Sequence, residues 1–114
     1  MVVKRGEIWW VDLPDPVASE PGYRRPMIVI QVDEFNRSTI KTVIVLVLKT
    51  NLRLAEAPGN ILLLAQQTGL PKDSVANVSQ VLTIDKSFLA EKAGKVRKGD
   101  LQKIEEGLRL SMGL

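Results

Sequence analysis

Two continuous apolar runs, MIVIQV at 27–32 and TVIVLVL at 42–48, set the strongest limit on how this chain can fold. Each run has the length of a strand and is rich in branched side chains, which is typical of strands that are buried on both faces. Three more segments have the composition of strands: EIWWVDL at 7–13, NILLL at 60–64 and VANVSQVLTI at 75–84. Five strands within the first 84 residues predict a small closed or half-closed β-barrel.

After the first strand comes a segment that can continue neither a strand nor a helix. PDPVASEPGYRRP, at 14–26, contains four of the six prolines of the chain, and proline removes a backbone donor and fixes φ. We therefore expect a long surface loop, and loops of this length usually carry function. The alternating residues Trp9, Val11 and Leu13 before the loop are expected to cover one face of their strand.

The last third of the chain is expected to be helical. Asp85 can cap a short helix that reaches Leu89, and Asp100 can cap a longer one. Gly107 should weaken the longer helix modestly. Strands first and a helix last indicate a single β-dominated α+β domain over residues 1–114. An apolar stripe at helical spacing predicts that the longer helix lies on the barrel, through Leu101, Ile104, Leu108 and Met112.

Composition excludes several kinds of chemistry. The sequence contains no histidine and no cysteine, so imidazole acid–base pairs, thiol nucleophiles and zinc sites built from these residues are ruled out within one chain. Its carboxylates lack metal-binding spacing, and no glycine pattern for phosphate or dinucleotide binding occurs, so we expect neither a metal nor a cofactor. The net charge of +3 allows an anionic partner. The lack of a secretory signal or a spanning apolar run predicts a cytoplasmic protein without membrane contact.

Two adjacent arginines are the first candidates for a functional site. Arg24 and Arg25 precede Pro26, and proline restricts the residue before it to extended geometry, which fixes the direction of the Arg25 side chain. A guanidinium fork can hold two phosphate oxygens and stabilise growing negative charge. The alternative is a solvated pair of surface charges. Glu20 is the nearest carboxylate, and it can serve either as a proton acceptor or as a counter-charge for Arg24.

Polar residues at or within the apolar strands are further candidates. Lys49, Thr50 and Asn51 end the strand that contains VIVLVL, where they either hold phosphate or simply terminate the strand. Gln80, next to Ser79 in a strand-like segment, can either read a base edge or form a hydrogen bond across the sheet.

Four stretches of this sequence, in this order and spacing, resemble the MazF/PemK family of toxin endoribonucleases along nearly the whole chain: VKRGEIWWVDL, SEPGYRRPMIVIQ, APGN and SQVLTIDK. The resemblance implies a small SH3-like barrel with a C-terminal helix, which pairs into a homodimer. It also implies a toxin that cuts single-stranded RNA at short sequence motifs without a metal, leaving a 2′,3′-cyclic phosphate and a 5′-hydroxyl. A cognate antitoxin, expected to be an acidic and partly disordered segment, would silence it.

The resemblance also assigns roles to residues. The central catalytic arginine of the family stands before a proline, and that position is Arg25 here. Its usual partner is a threonine at the end of the third long strand, but Lys49 occupies that place and Thr50 follows it. Either a local bulge redirects Thr50, or Lys49 replaces the hydroxyl with a charge, or activity is weakened. The residues expected to contact RNA are Ser19, Glu20, Arg24, Asn51, Ser79 and Gln80.

Two other functions remain open on the sequence alone. The same barrel also serves toxins that poison gyrase by binding it and cut nothing, and the arginine–proline motif favours the ribonuclease over these. The second alternative is a relative with weakened catalysis that binds only RNA or antitoxin, and it rests on the departure at Lys49.

Overall fold

The computed structural model describes residues 2–14 and 23–114 of the chain. Within these ranges it contains six strands, three α-helices and two short 3₁₀ turns. The strands are β1 (Glu7–Leu13), β2 (Tyr23–Val29), β3 (Thr42–Lys49), β4 (Ile61–Leu63), β5 (Ser74–Asp85) and β6 (Leu89–Lys95). The helices are α1 (Asp33–Asn36), α2 (Ala65–Thr68) and α3 (Lys98–Met112), and the 3₁₀ turns are Leu52–Glu56 and Lys86–Phe88. The predicted β-dominated α+β fold with a C-terminal helix is confirmed.

The strands form one antiparallel sheet in the order β4-β5-β3-β2-β1-β6, curled into a half-barrel. The short strand β4 and the strand β6 form its two edges. No helix within residues 2–14 and 23–114 is both long enough and apolar enough to cross a membrane.

The curled sheet buries apolar side chains on both faces. Trp9, Val11 and Leu13 belong to the same cluster, which confirms that this alternating set shares a face. The first core includes residues of α3 and consists of Ile8, Ile28, Leu46, Leu48, Leu63, Leu70, Ala76, Val78, Val96 and Ile104. The second core consists of Val3, Val11, Met27, Val29, Val43, Val45, Val47, Ile84 and Leu89. Since β3 contributes to both cores, its predicted burial on two faces is also confirmed.

The prediction that the second strand spans 27–32 is wrong. β2 spans Tyr23–Val29, so Arg24, Arg25 and Pro26 lie in a strand rather than in a loop. They pair with β1, and this pairing supplies the backbone partners that a polar segment needs to extend as a strand. Pro26 is tolerated because the pairing of β2 with β3 begins only at the next residue, Met27. The arginines are thereby held on a rigid element.

The segment after β5 also differs from the prediction. Asp85 does act as a cap, accepting a hydrogen bond from Ser87 N–H at 2.8 Å, but what it caps is a 3₁₀ turn. Leu89 then begins a sixth strand instead of ending a helix. The sequence LAEKAGK has little β-propensity of its own. It becomes a strand because β1 offers a free edge, to which β6 pairs.

The terminal helix begins earlier than predicted. α3 starts at Lys98 with Arg97 as its N-cap residue, so Asp100 lies inside the first turn, where its carboxylate accepts a hydrogen bond from Arg97 Nε at 3.2 Å. An acid there still interacts favourably with the positive end of the helix dipole. The predicted stripe is buried at Ile104, whereas Met112, the last helical residue, is 49% exposed and lies outside the core.

A buried carboxylate ties the start of β1 to β6. Glu7 is 8% exposed. Its carboxylate accepts hydrogen bonds from Lys4 N–H at 2.9 Å and from the Trp9 indole N–H at 3.1 Å, and it forms an ion pair with Lys92 at 2.9 Å. Burial acts to raise the pKa of Glu7, but these three partners together hold that pKa below its usual value.

Glu7→Gln is expected to lower the free energy of unfolding at neutral pH by about 1–2 kcal/mol, because charge-assisted hydrogen bonds become neutral ones. A carboxylate with a lowered pKa in the folded state contributes its stability above its unfolded-state pKa of 4.5. That contribution is lost as the pH falls through the folded-state pKa. Urea denaturation of both proteins at pH 7 and pH 3 should show a difference that shrinks at the lower pH, and an equal difference at both would contradict the role of the charge.

Candidate active site

Arg24 is held by contacts on both sides of its guanidinium group. Asp12 on β1 and Glu91 on β6 accept hydrogen bonds from its Nη1 and Nη2 at 3.2 and 2.6 Å. The ring centroid of Trp10 lies 5.5 Å from its Cζ, within range of a cation–π contact. Arg24 therefore has its charge balanced by Asp12 and Glu91, while Glu20, the counter-charge suggested by the sequence, lies outside the described residues.

Arg25 has a different environment. It stands opposite Val11 of β1, and its side chain is exposed. In the antiparallel pairing of β2 with β3, Met27 faces Val47. Continued by two residues, this register places Lys49 opposite Arg25. Because side chains alternate along a strand, Arg25 and Lys49 project on the same face of the sheet.

Lys49 is the last residue of β3, and Val75 of β5 is its partner on the other side. Its side chain is half-buried. This burial, and then the charge of Arg25, hold the pKa of Lys49 below its usual value. Within residues 2–14 and 23–114 neither cation forms an ion pair with a carboxylate. Two neighbouring cations, one of them partly desolvated, create a position that favours an anion.

A cavity of about 260 Å³ lies beside Arg25, which is one of its lining residues, whereas Lys49 is not among them. Thr50 lines it together with Leu48, two residues earlier, as alternation along a strand requires. At the end of β3, Lys49 therefore lies beside Arg25, and Thr50 faces the cavity. The described residues that line it are Trp10, Arg24, Arg25, Pro26, Leu48, Thr50, Leu70, Pro71, Lys72 and Ser74.

The bulge that the sequence suggested for this region lies in β5 instead. The pairing of β3 with β5 is irregular between Leu46, which faces Val81, and Leu48, which faces Ala76. The additional residues of β5 include Ser79 and Gln80, so the two predicted RNA contacts stand on the bulge and are not among the residues that line the cavity.

Side-chain amides hold this bulge together. Asn77 donates to Gln80 Oε1 at 2.8 Å and accepts from the Ser79 hydroxyl at 3.0 Å. Asn60, the last residue of the APGN turn, accepts from Val78 N–H at 2.9 Å and donates to Leu54 O at 2.9 Å. Gln80 therefore forms its hydrogen bond within β5, to a residue of its own strand, and not across the sheet as one of the two interpretations had it.

The other predicted contacts are dispersed. Asn51 is exposed and caps the 3₁₀ turn after β3, accepting a hydrogen bond from Arg53 N–H at 3.2 Å. Ser19 and Glu20 lie outside the described residues. The sequence did not identify Lys72 or Ser74 as cavity residues. The segment LPKDS that carries them has the ordinary composition of a turn, so no local signal could have found them.

A second and larger cavity, of about 500 Å³, lies near the start of α3. Three of its cations, Arg5, Lys92 and Arg97, form ion pairs with carboxylates at 2.6, 2.9 and 3.2 Å. Its other three cations, Lys4, Lys95 and Lys98, form no ion pair in the described part of the chain, but Glu7 and Asp33 also line this cavity. The described residues that line the first cavity include no carboxylate. In residues 2–14 and 23–114, no three side chains of metal-ligating type converge on one point.

Comparison with known proteins identifies the family and the fold of the chain. Residues 4–112 match the family described as a PemK-like, MazF-like toxin of type II toxin-antitoxin system. The chain is 43% identical over 114 residues to endoribonuclease MazF6 of Mycobacterium tuberculosis H37Rv, with all of both proteins covered. It is 36% identical over 114 residues to endoribonuclease EndoA of Bacillus subtilis 168, covering 100% of this chain and 97% of EndoA. Its fold is similar to that of MazF from Deinococcus radiodurans, with a TM-score of 0.83, 19% identity and coverage of 100% and 99%.

Proposed function

We propose that this chain, which belongs to the family of PemK-like, MazF-like toxins of type II toxin–antitoxin systems, is a sequence-specific endoribonuclease toxin. Its relatives at 43% and 36% identity, which align with all of this chain, are named endoribonucleases. The observation that carries the proposal is the neighbouring pair of Arg25, which lines a cavity, and Lys49, with no carboxylate bound to either in the described residues. Such a pair suits the phosphodiester of RNA.

In the proposed reaction the ribose 2′-hydroxyl attacks the adjacent phosphorus, so only RNA can be cut. The products are a 2′,3′-cyclic phosphate and a 5′-hydroxyl, and no metal is required. Arg25 holds two phosphate oxygens and stabilises the negative charge that grows on them. Lys49, on the same face as Arg25, donates a hydrogen bond to the same phosphate group, and Thr50 donates a hydrogen bond to the RNA strand from the side of the cavity.

Further contacts with the RNA strand are proposed on either side of the reacting phosphate. Arg24 lines the cavity with its position fixed by Asp12 and Glu91, and Asn51 is exposed next to Thr50. The remaining proposed contacts are Ser19, Glu20, Ser79 and Gln80. Contacts of this type, made to base edges and sugars of an unpaired strand, would set the sequence that is cut.

The proposed partners are a cognate antitoxin and a second copy of the chain. The antitoxin is a feature of type II systems, and an acidic segment would compete with RNA for Arg25 and Lys49. A homodimer is supported by large apolar side chains that a single chain leaves exposed, namely Leu52, Leu62, Leu110 and Met112. Since its proposed substrate is single-stranded RNA, including messenger RNA, we propose that the toxin acts in the cytoplasm.

Incubation of the purified protein with long single-stranded RNA and excess EDTA is expected to give discrete fragments, because the proposed chemistry needs only the 2′-hydroxyl and protein cations. Their new ends should be 5′-hydroxyls, which polynucleotide kinase labels without phosphatase treatment, and 2′,3′-cyclic phosphates. Single-stranded DNA of the same sequence is the matched control, and it should stay intact since it lacks the nucleophile.

Intact RNA in this assay would overturn the ribonuclease proposal. If expression of the protein still stopped growth and caused gyrase-dependent DNA breaks, the gyrase-poisoning alternative would replace it. Binding of RNA without cleavage would instead favour the catalytically weakened relative.

A further inference from the structure

We infer that Lys49 is the general acid of the proposed reaction and gives its ammonium proton to the departing 5′ oxygen of the RNA. The inference rests on the proposed ribonuclease function and deepens it by assigning one proton transfer to one atom, Nζ of Lys49. Lysine at this position therefore supplies chemistry that the threonine expected from the family pattern cannot supply.

The reaction needs a proton donor because its leaving group is an alkoxide, which departs poorly unless it is protonated as the P–O5′ bond breaks. The chain has no histidine to serve. A guanidinium group keeps its proton throughout the working pH range, and a threonine hydroxyl is a far weaker acid than an ammonium group. Of the side chains at this strand end, Lys49 is the one that can release a proton and regain it from water.

The position of Lys49 fits this role. The β2–β3 pairing ends at Met27 and Val47, and its register, continued by two residues, brings Lys49 opposite Arg25 on the same face of the sheet. When Arg25 holds the non-bridging oxygens of the scissile phosphate, an adjacent ammonium group can reach a bridging oxygen of the same phosphate. Thr50 points to the cavity and is left to bind rather than to transfer a proton.

The surroundings of Lys49 strengthen it as an acid. Its partner on β5 is the uncharged Val75, and its charged neighbour on β2 is Arg25. Burial and the charge of Arg25 both lower the pKa of Lys49, so the ammonium gives up its proton more readily than an exposed lysine. Positive charge on Arg25 is retained through the step and continues to stabilise the phosphate.

The proposed step is balanced. The 2′-oxygen forms a bond to phosphorus and its proton passes to water, while the electron pair of the P–O5′ bond moves to the 5′ oxygen. That oxygen takes the proton from Nζ of Lys49 and leaves as the 5′-hydroxyl. The neutral amine is then protonated again by water.

The test separates proton donation from binding by changing the leaving group. A cleavage site is first mapped on long RNA with the parental protein, and a short RNA with that site is made in two forms. One form has the normal 5′ oxygen at the scissile phosphate. The other has sulfur in place of that bridging oxygen, and a thiolate leaves without needing a proton.

Lys49→Arg is expected to cut the oxygen form at least about 10²-fold more slowly than the parental protein, because the charge remains but the proton is not released. On the sulfur form the same variant should come within about threefold of the parental rate. Lys49→Met, which removes the charge, should also regain cleavage rate on the sulfur form but not on the oxygen form. Lys41→Arg is the matched control; Lys41 is exposed just before the other end of β3, and its variant should equal the parental protein on both forms.

Equal deficits of the Lys49 variants on the two forms would overturn the inference in favour of a binding role. So would a normal rate on the oxygen form, or a matching loss of affinity for an uncleavable RNA with a 2′-deoxyribose at the cleavage site. Failure of the parental protein to cut the long RNA in the mapping step would overturn the proposed function itself, and the two failures are thereby distinguished.

Discussion

Arg25→Ala is expected to lower kcat for RNA cleavage by about 10²–10³-fold, because it removes the group that stabilises charge on the phosphate in the transition state. KM should change much less, since Lys49 and Lys72 remain at the site to attract the RNA backbone. Single-turnover and steady-state cleavage of a short RNA with the mapped site would measure both constants.

Two further variants test whether the loss of activity is specific to the guanidinium group of Arg25. Arg25→Lys keeps the charge but not the planar fork, so it should recover only a small part of the lost rate. Arg37→Ala removes an exposed arginine from the connection that follows α1, and it should cleave RNA at the parental rate. If Arg25→Ala cut RNA as fast as Arg37→Ala, Arg25 would have no catalytic role.

The apolar pattern was sufficient to predict β1 and β3. β1 and β3 contain enough branched and aromatic residues to be recognised as strands from the sequence, and each has a buried face. β6 could not be predicted, because its residues favour a strand only once β1 offers them a free edge. Pairing with β1 is also the reason that β2 begins at Tyr23, earlier than predicted, and that both arginines lie in the sheet.

The candidate site was predictable only in part. Pro26 made Arg25 recognisable, but whether Lys49 or Thr50 accompanies it depends on the pairing of β2 with β3, which no local pattern reveals. Lys72 joins the site from a turn more than twenty residues later in the chain, and only the packing of that turn on the sheet brings it there. Residue types and their neighbours in the sequence identified single candidate residues, but the pairing of the strands determines which of these residues lie close together.

One glycine was interpreted wrongly from the sequence. Gly107 was expected to be a mild weakness in α3, but it is buried, and the helix packs there on the APGN turn that precedes β4. A Cβ at Gly107 would lie 2.1 Å from the carbonyl oxygen of Gly59. Gly59 itself has a φ of +84°, which side chains rarely adopt, so the turn has little freedom to move away. The close approach fixes α3 against the turn whose Asn60 supports the β5 bulge.

Gly107→Ala is accordingly expected to lower the free energy of unfolding by about 3 kcal/mol, since the new methyl group must displace backbone rather than a flexible side chain. The melting temperature should fall by roughly 10 °C. Gly99→Ala makes the same substitution in the same helix, at a position where no heavy atom lies within 4 Å of the added Cβ. It should raise the free energy of unfolding by up to about 1 kcal/mol, because alanine favours the helix. Thermal and urea denaturation should therefore give opposite signs for the two variants. An increase for both would mean that helix propensity governs α3 and that the turn yields to it.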